Sequence, residues 1–300
     1  MKIIFWERGD NMFYSPLRYP GGKGKLEPFM EMLIKQTGHC GGTYVEPFAG
    51  GAGIALELLE KGIVKEIVIN DLDKGIYSFW KAILTQTDRF IDDIRNVALT
   101  MDEWNRQRAI IENCGRYSYE LGFATFYLNR TNRSGIIKGG VIGGTEQNGS
   151  WKMDARFNRE ALIERIIKIA NRKKYIHIYN KDVGSFIQNY LPKYERNAFV
   201  YFDPPYFGKG KQLYLNFFSY DDHVRIERMI NNQVNCDWVI TYDDVQEIAD
   251  IYQNHILRRF DLNYSAAVKR KASEIIIFKR LNMISSVEQL EKNGICVNLR

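Results

Sequence analysis

An α/β fold, a seven-stranded sheet interrupted by a mainly helical insertion, follows from three observations in the sequence. Short apolar runs alternate with helical patterns before residue 74 and again from Tyr175. The stretch between them holds only helical periodicity, and that stretch carries the excess of positive charge.

The predicted strands are Thr43 to Glu46, Glu66 to Asn70, Tyr175 to Tyr179, Ala198 to Phe202, Asp237 to Tyr242, His255 to Asp261 and Glu274 to Lys279. Each is a short run rich in β-branched or aromatic residues and bounded by polar or turn residues. From Lys74 to about Asn171 the spacing predicts helices around Tyr77 to Leu84, Phe90 to Leu99, Glu103 to Asn113 and Tyr119 to Leu128. A glycine-rich stretch from Gly135 to Gly149 follows, then a helix from Arg159 to Ala170. The sheet unit is therefore expected from residues 12–74 and 172–282, the helical insertion from 75–171, and terminal extensions from 1–11 and 283–300. Residues 1–11 are expected to be dispensable, because Phe13 to Lys23 runs directly into the first motif.

Cys40, Cys114, Cys236 and Cys296 lack paired spacing, which predicts reduced thiols and no zinc site. No stretch approaches the roughly 20 apolar residues of a membrane helix, so a cytoplasmic location and no membrane partner are expected. The net charge is +6, yet residues 105–174 hold fourteen Lys or Arg against six Asp or Glu. A polyanion is the predicted partner of that region, with a solvated basic face as the alternative.

Tyr44 through Gly53 reads as a strand, a glycine-rich turn and the start of a helix, and Asp71 ends the next strand eighteen residues beyond Gly53. Glycines let a ligand approach the backbone, and the carboxylate is placed to accept from ribose hydroxyls, so the pattern predicts an adenosine-containing cofactor. A dinucleotide would suit the same arrangement. The Gly-Gly-Ala-Gly spacing departs from the dinucleotide pattern and leans towards S-adenosylmethionine.

The most informative segment is Asn197 through Tyr206, an apolar strand closed by Asp203, Pro204, Pro205 and Tyr206. An adenine amino nitrogen is a poor nucleophile because its lone pair is delocalised into the ring. An acid accepting one amino hydrogen and a backbone carbonyl accepting the other draw that nitrogen towards tetrahedral geometry. Consecutive prolines stiffen the turn and aim the carbonyl. Tyr206, with Phe207 as a second plane, suits stacking on a base swung out of a duplex.

With both motifs in place the chain resembles the Dam-type (alpha group) S-adenosylmethionine-dependent DNA adenine-N6 methyltransferases over nearly all of residues 13–280. The resemblance implies a Rossmann-like class I methyltransferase sheet with an inserted helical DNA-recognition domain. It implies methyl transfer to adenine N6 in double-stranded DNA by base flipping, with S-adenosylhomocysteine as product and no metal. Asp203, Pro204, Pro205 and Tyr206 become the catalytic residues. Tyr19 and Lys23, in Tyr-Pro-Gly-Gly-Lys, become cofactor contacts together with Phe48, Gly50, Gly53, Asp71 and Asp182. An N-cap is the alternative role of Asp182.

In the insertion, Asn129 and Arg130 resemble the family's Asn-Arg pair ahead of a DNA-contacting loop, whereas Thr131 to Gly135 departs from the form in GATC enzymes. Arg133, Lys138, Lys152, Arg156 and Arg159 complete the candidate DNA contacts, and Lys269, Arg270 and Lys271 are candidates to line the DNA channel. None of His39, His177, His223 and His255 has the spacing of a metal site or nucleophile relay, and His223 is read as structural. A cytosine-amino or RNA methyltransferase, or a non-catalytic DNA-binding protein on the same fold, is the alternative function. A cognate restriction enzyme is the candidate protein partner.

Overall fold

The computed structural model describes residues 15–18, 23–208, 218–264 and 270–283, without the side chains of 25, 261–264 and 270–272. Tyr19, the side chains of Lys269, Arg270 and Lys271, and the terminal extension 1–11 lie outside the described residues.

The seven strands are β1 (Thr43–Glu46), β2 (Glu66–Asn70), β3 (Ile176–Tyr179), β4 (Ala198–Phe202), β5 (Asp237–Asp243), β6 (Ile256–Tyr264) and β7 (Arg270–Phe278), in the order β3-β2-β1-β4-β5-β7-β6. The first five run parallel, and β7 is antiparallel to both β5 and β6. Side chains alternate across the pleat. Tyr44, Ile67, Ile69, Phe199, Tyr201, Val239 and Ile276 enter one core, while Val45, Val68, Val200, Phe202, Trp238, Ile240 and Ile277 enter the other. Burial on both faces is why the strands read as continuous apolar runs.

The second face is covered by α8 (Val183–Asn189), α9 (Tyr220–Gln233) and α10 (Gln246–Ile251). Ser219 and Asp222 form a capping box that starts α9. The first face is covered by α1 (Glu27–Gln36) and α2 (Gly53–Glu60), and its core continues without a break into the insertion.

The insertion consists of α3 (Lys74–Thr85), α4 (Thr87–Asn96), α5 (Met101–Asn113), α6 (Tyr119–Thr131) and α7 (Arg159–Asn171). Caps set four of its helix starts, with Asp73 for α3, Thr100 for α5, Ser118 for α6 and Asn158 for α7. Phe79, Phe90, Phe123 and Phe126 pack edge to face or stacked at its centre. Gly122 lets α6 lie directly on α3, because a Cβ there would stand 2.5 Å from the Ser78 carbonyl oxygen. An alanine would force the helices apart at about 1–3 kcal/mol.

Candidate active site

The strand order reverses between β1 and β4, so the loops leaving their carboxyl ends lie side by side. Open α/β sheets bind ligands at such a switch point. The glycine-rich loop follows β1 and the Asp-Pro-Pro-Tyr segment follows β4.

On the β1 side, Gly50 takes φ of +46° and Ala52 the left-handed φ of +46° at the N-cap of α2. The second positive φ therefore falls on Ala52 and not on Gly53, whose prospective Cβ would meet open space. Open space at Gly53 suits close approach of a ligand to the backbone. The Gly50 amide donates to Asp71 Oδ2 at 2.9 Å, the Asp73 amide donates to Asp71 Oδ1 at 2.9 Å, and Trp80 Nε1 donates to the Gly50 carbonyl at 3.0 Å. Each Asp71 oxygen retains lone-pair capacity for a hydroxyl. Burial, reinforced by Asp73, pushes the Asp71 carboxyl up to about 7.

Asn70 ties the loops together. Its Nδ2 donates to the carbonyls of Pro47 and Lys181, both at 3.0 Å, and its Oδ1 accepts from the Lys181 amide at 2.9 Å. A cleft beside them is lined by Ala49, Asn70, Asp71, Tyr77, Trp80 and Tyr179. Phe48 is half-buried, its ring meeting Phe218 edge to face at 5.9 Å. Asp182 is exposed and accepts from the Ser185 amide at 2.9 Å, so it is the N-cap of α8.

On the β4 side, Asp203 Oδ1 accepts from Thr241 Oγ1 at 3.0 Å. Thr241 Oγ1 is in turn 2.7 Å from the Tyr201 hydroxyl. Since the threonine proton goes to the carboxylate, the tyrosine is the donor in that second bond. Burial pushes the Asp203 carboxyl up to about 6, Lys23 opposes the rise, Glu274 adds to it and the Thr241 bond opposes it. The loop beyond is clamped by Asp243, whose carboxylate accepts from the Phe207 amide at 2.9 Å and the Gly208 amide at 2.8 Å.

Lys23 is buried here. Its Nζ donates to the Tyr206 hydroxyl at 2.6 Å and to Glu274 Oε2, and stands 3.8 Å from Asp203 Oδ1. The Tyr206 hydroxyl donates to Glu274 Oε1 at 2.9 Å. His223 is fully buried, with Nδ1 3.1 Å from the Tyr242 hydroxyl, and burial holds it down at about 4, a neutral structural residue.

The DNA candidates divide. Arg133, Lys138, Lys152 and Arg156 are exposed on the glycine-rich stretch and its flanks. Asn129 and Arg159 bond within the protein, as Arg133 also does to the Val141 carbonyl and Lys152 to the Gln147 carbonyl. Buried Asn129 accepts from the Arg18 amide at 2.7 Å and donates to the carbonyls of Arg18 and Gly135. The Arg159 guanidinium donates to the carbonyls of Ile94 and Val97, closing the end of α4. Arg130 is also buried, and burial followed by Arg165, Arg18 and Arg156 lowers it to about 9.

Sequence reasoning missed Glu274, Thr241, Asp243, Asn70 and Trp80. The available signal was position. Asn70 and Asp243 end strands, and Glu274 is a lone acid directly before three isoleucines.

Adjacent glycine-turn and Asp-Pro-Pro-Tyr loops at the switch point of this sheet define a Rossmann-like class I methyltransferase. The chain belongs to the D12 class N6 adenine-specific DNA methyltransferase family, which it matches over residues 19–265. It is 24% identical to the Type II methyltransferase M.MjaIII of Methanocaldococcus jannaschii, over 74% of this chain and 85% of that protein. Among solved structures, the rRNA methyltransferase aviRa of Streptomyces viridochromogenes is similar over 93% of this chain and 96% of that one, at 12% identity and a TM-score of 0.37. The protein is an adenine-specific N6 DNA methyltransferase, and the cytosine, RNA and non-catalytic alternatives fall away. Family membership implies S-adenosylmethionine as the methyl donor. No helix among the described residues is long and apolar enough to cross a membrane.

Proposed function

We propose that the adenine is flipped out of double-stranded DNA towards the carboxyl ends of β1 and β4, where Asp203 and the Pro204 carbonyl accept hydrogen bonds from its two amino hydrogens. One observation carries this reading. Among the described residues Asp203 Oδ2 and the Pro204 carbonyl take no hydrogen bond, while Asp203 Oδ1 and the backbone just beyond are committed. Two adjacent acceptors are thereby left for one amino group. Pro205 stiffens the turn, and the rings of Tyr206 and Phe207 bound the base. Orientation and hydrogen bonding are the source of rate.

The donor, when bound, supplies an electrophilic methyl group on a sulfonium. Tyr19, Lys23, Phe48, Gly50, Gly53, Asp71 and Asp182 form the proposed cofactor set, with the Asp71 oxygens as acceptors for ribose hydroxyls and Asp182 offering the oxygen its cap does not use. No metal takes part in this scheme. Residues 12–74 and 172–282 form the catalytic unit and 75–171 the target-recognition unit, whose exposed Arg133, Lys138, Lys152 and Arg156 meet DNA. A cognate restriction enzyme is the proposed cellular partner, supported by the likeness to a Type II methyltransferase.

The test is Asp203→Ala, with modified bases mapped by single-molecule sequencing of DNA from expressing cells and cofactor affinity measured by calorimetry. Methyladenine at one short motif, lost in the variant with cofactor binding retained, is the expected result. Retained methylation, or loss of cofactor binding and fold together, defeats the assignment.

A further inference from the structure

A lysine beside a carboxylate in a dry site ordinarily closes on it, forming a short charge-assisted bond that weakens the carboxylate as an acceptor. Lys23 does not do this with Asp203. Its Nζ is 3.8 Å from Asp203 Oδ1 while it bonds Glu274 Oε2 and the Tyr206 hydroxyl, and the side chains of Lys23 and Glu274 are each only 2% exposed. Glu274 Oε1 also accepts from Tyr206, so one carboxylate on β7 fixes both the ammonium and the end of the aromatic side chain. The bonds Glu274 makes to Lys23 and Tyr206 leave its influence on Asp203 to act through charge and through those two side chains.

We propose that Glu274 is a positioning residue for methyl transfer: it draws Lys23 away from Asp203 and anchors the Tyr206 hydroxyl, so that Asp203 stays a strong hydrogen-bond acceptor beside a fixed ring. The inference rests on the reading of Asp203 as the amino-group acceptor. Removing the Glu274 charge takes away a like charge that raises the Asp203 carboxyl and releases Lys23 to close on it, and both changes lower that carboxyl. The other groups facing Asp203 are Tyr44 and Glu46 from β1, Tyr201 from β4, Thr241 and Tyr242 from β5, and Lys23 from the segment before α1. All but Lys23 keep their identity in both variants.

The experiment is Glu274→Gln in the full chain, read three ways: the acid limb of the single-turnover methyl-transfer rate, the Asp203 carboxyl titration by carbon NMR, assigned through its loss in Asp203→Asn, and S-adenosylmethionine affinity by calorimetry. The acid limb and the Asp203 titration are expected to move down by about one unit or more, and S-adenosylmethionine affinity follows the displacement of Lys23, a member of the proposed cofactor set. Lys23→Met/Glu274→Gln removes the buried pair as a whole and guards against misfolding caused by a lone buried lysine. In that variant Asp203 is expected to titrate above its wild-type value. An unmoved Asp203 titration in Glu274→Gln, or a value at or below wild type in the double variant, overturns the inference. Methylation surviving in Asp203→Ala would instead remove the reading on which it rests, and the NMR shift separates the two failures.

Discussion

Asp243 is the residue whose removal tests most directly whether the Asp-Pro-Pro-Tyr loop must be held for the reaction. Its carboxylate accepts two backbone amides, Phe207 at 2.9 Å and Gly208 at 2.8 Å, and it holds no other described hydrogen bond to a side chain. Hydrogen bonds to a charged group contribute about 1.5–3 kcal/mol each. The Gly208 bond is exposed and worth less, so Asp243→Ala should loosen the loop by about 2–3 kcal/mol in all. If the transition state needs the loop in place, that is about a 30- to 150-fold slower transfer. Asp243→Asn keeps one acceptor oxygen, and the loss should fall to about five- to tenfold. The assay is single-turnover transfer of labelled methyl to DNA taken from cells expressing Asp203→Ala. Cofactor affinity should hold, because Asp243 lies on the β4 and β5 side of the switch point. A wild-type rate in Asp243→Ala, or equal losses in the two variants with equal loss of thermal stability, would show the clamp to be unnecessary or merely structural.

Trp80→Phe removes the indole donor on the buried Gly50 carbonyl and should cost about 1–3 kcal/mol; weaker cofactor binding by calorimetry is expected, and unchanged affinity would detach α3 from cofactor binding. Alanine at Arg133, Lys138, Lys152 and Arg156 together should weaken DNA binding and flatten the plot of log affinity against log salt by about 0.9 for each phosphate no longer neutralised. Arg159→Ala should leave that slope alone and lower the unfolding temperature, since its donors go to the Ile94 and Val97 carbonyls; a flattened slope in Arg159→Ala would return it to the DNA surface.

The sheet was legible because its strands are short, buried on both faces and bounded by turns. Predicted and observed limits coincide for β1, β2 and β4. The edge hairpin was less so. β6 runs on to Tyr264 and β7 begins at Arg270, where the two backbones pair beyond the predicted limits. The antiparallel sense of β7 was equally hidden, since direction leaves no mark in periodicity.

Within the site, Asp203 and Asp71 were readable from their places after apolar strands. Lys23 was readable only as a neighbour of glycines, and its bonds to Tyr206 and Glu274 span 183 and 251 residues. Asn129 shows what motif reading leaves out. An Asn-Arg pair in a basic region looks like a DNA contact, yet the asparagine satisfies three backbone groups of Arg18 and Gly135. Side-chain amides are used as readily to bond stray backbone as to bind ligands.

Two acids at the head of the site are pushed up by different amounts, and Asp203 can accept only while it is ionised. Glu46, 5% exposed, accepts from the Ala55 amide at 3.2 Å. Burial, and then the Asp203 charge, push its carboxyl up to about 8, against about 6 for Asp203. Between those values Glu46 is neutral and Asp203 ionised, a division of the kind that separates acid and base roles elsewhere. In the unfolded chain Glu46 ionises near 4.5. From about pH 5 to 8 the folded state therefore holds the extra proton, and Glu46 lowers stability as pH rises, by at most about 1.4 kcal/mol per pH unit. Glu46→Gln imitates the protonated acid and removes that dependence. The urea-unfolding free energy of wild type minus that of Glu46→Gln should fall across this window and level off above it. A pH-independent difference would mean that Glu46 is ionised in the fold.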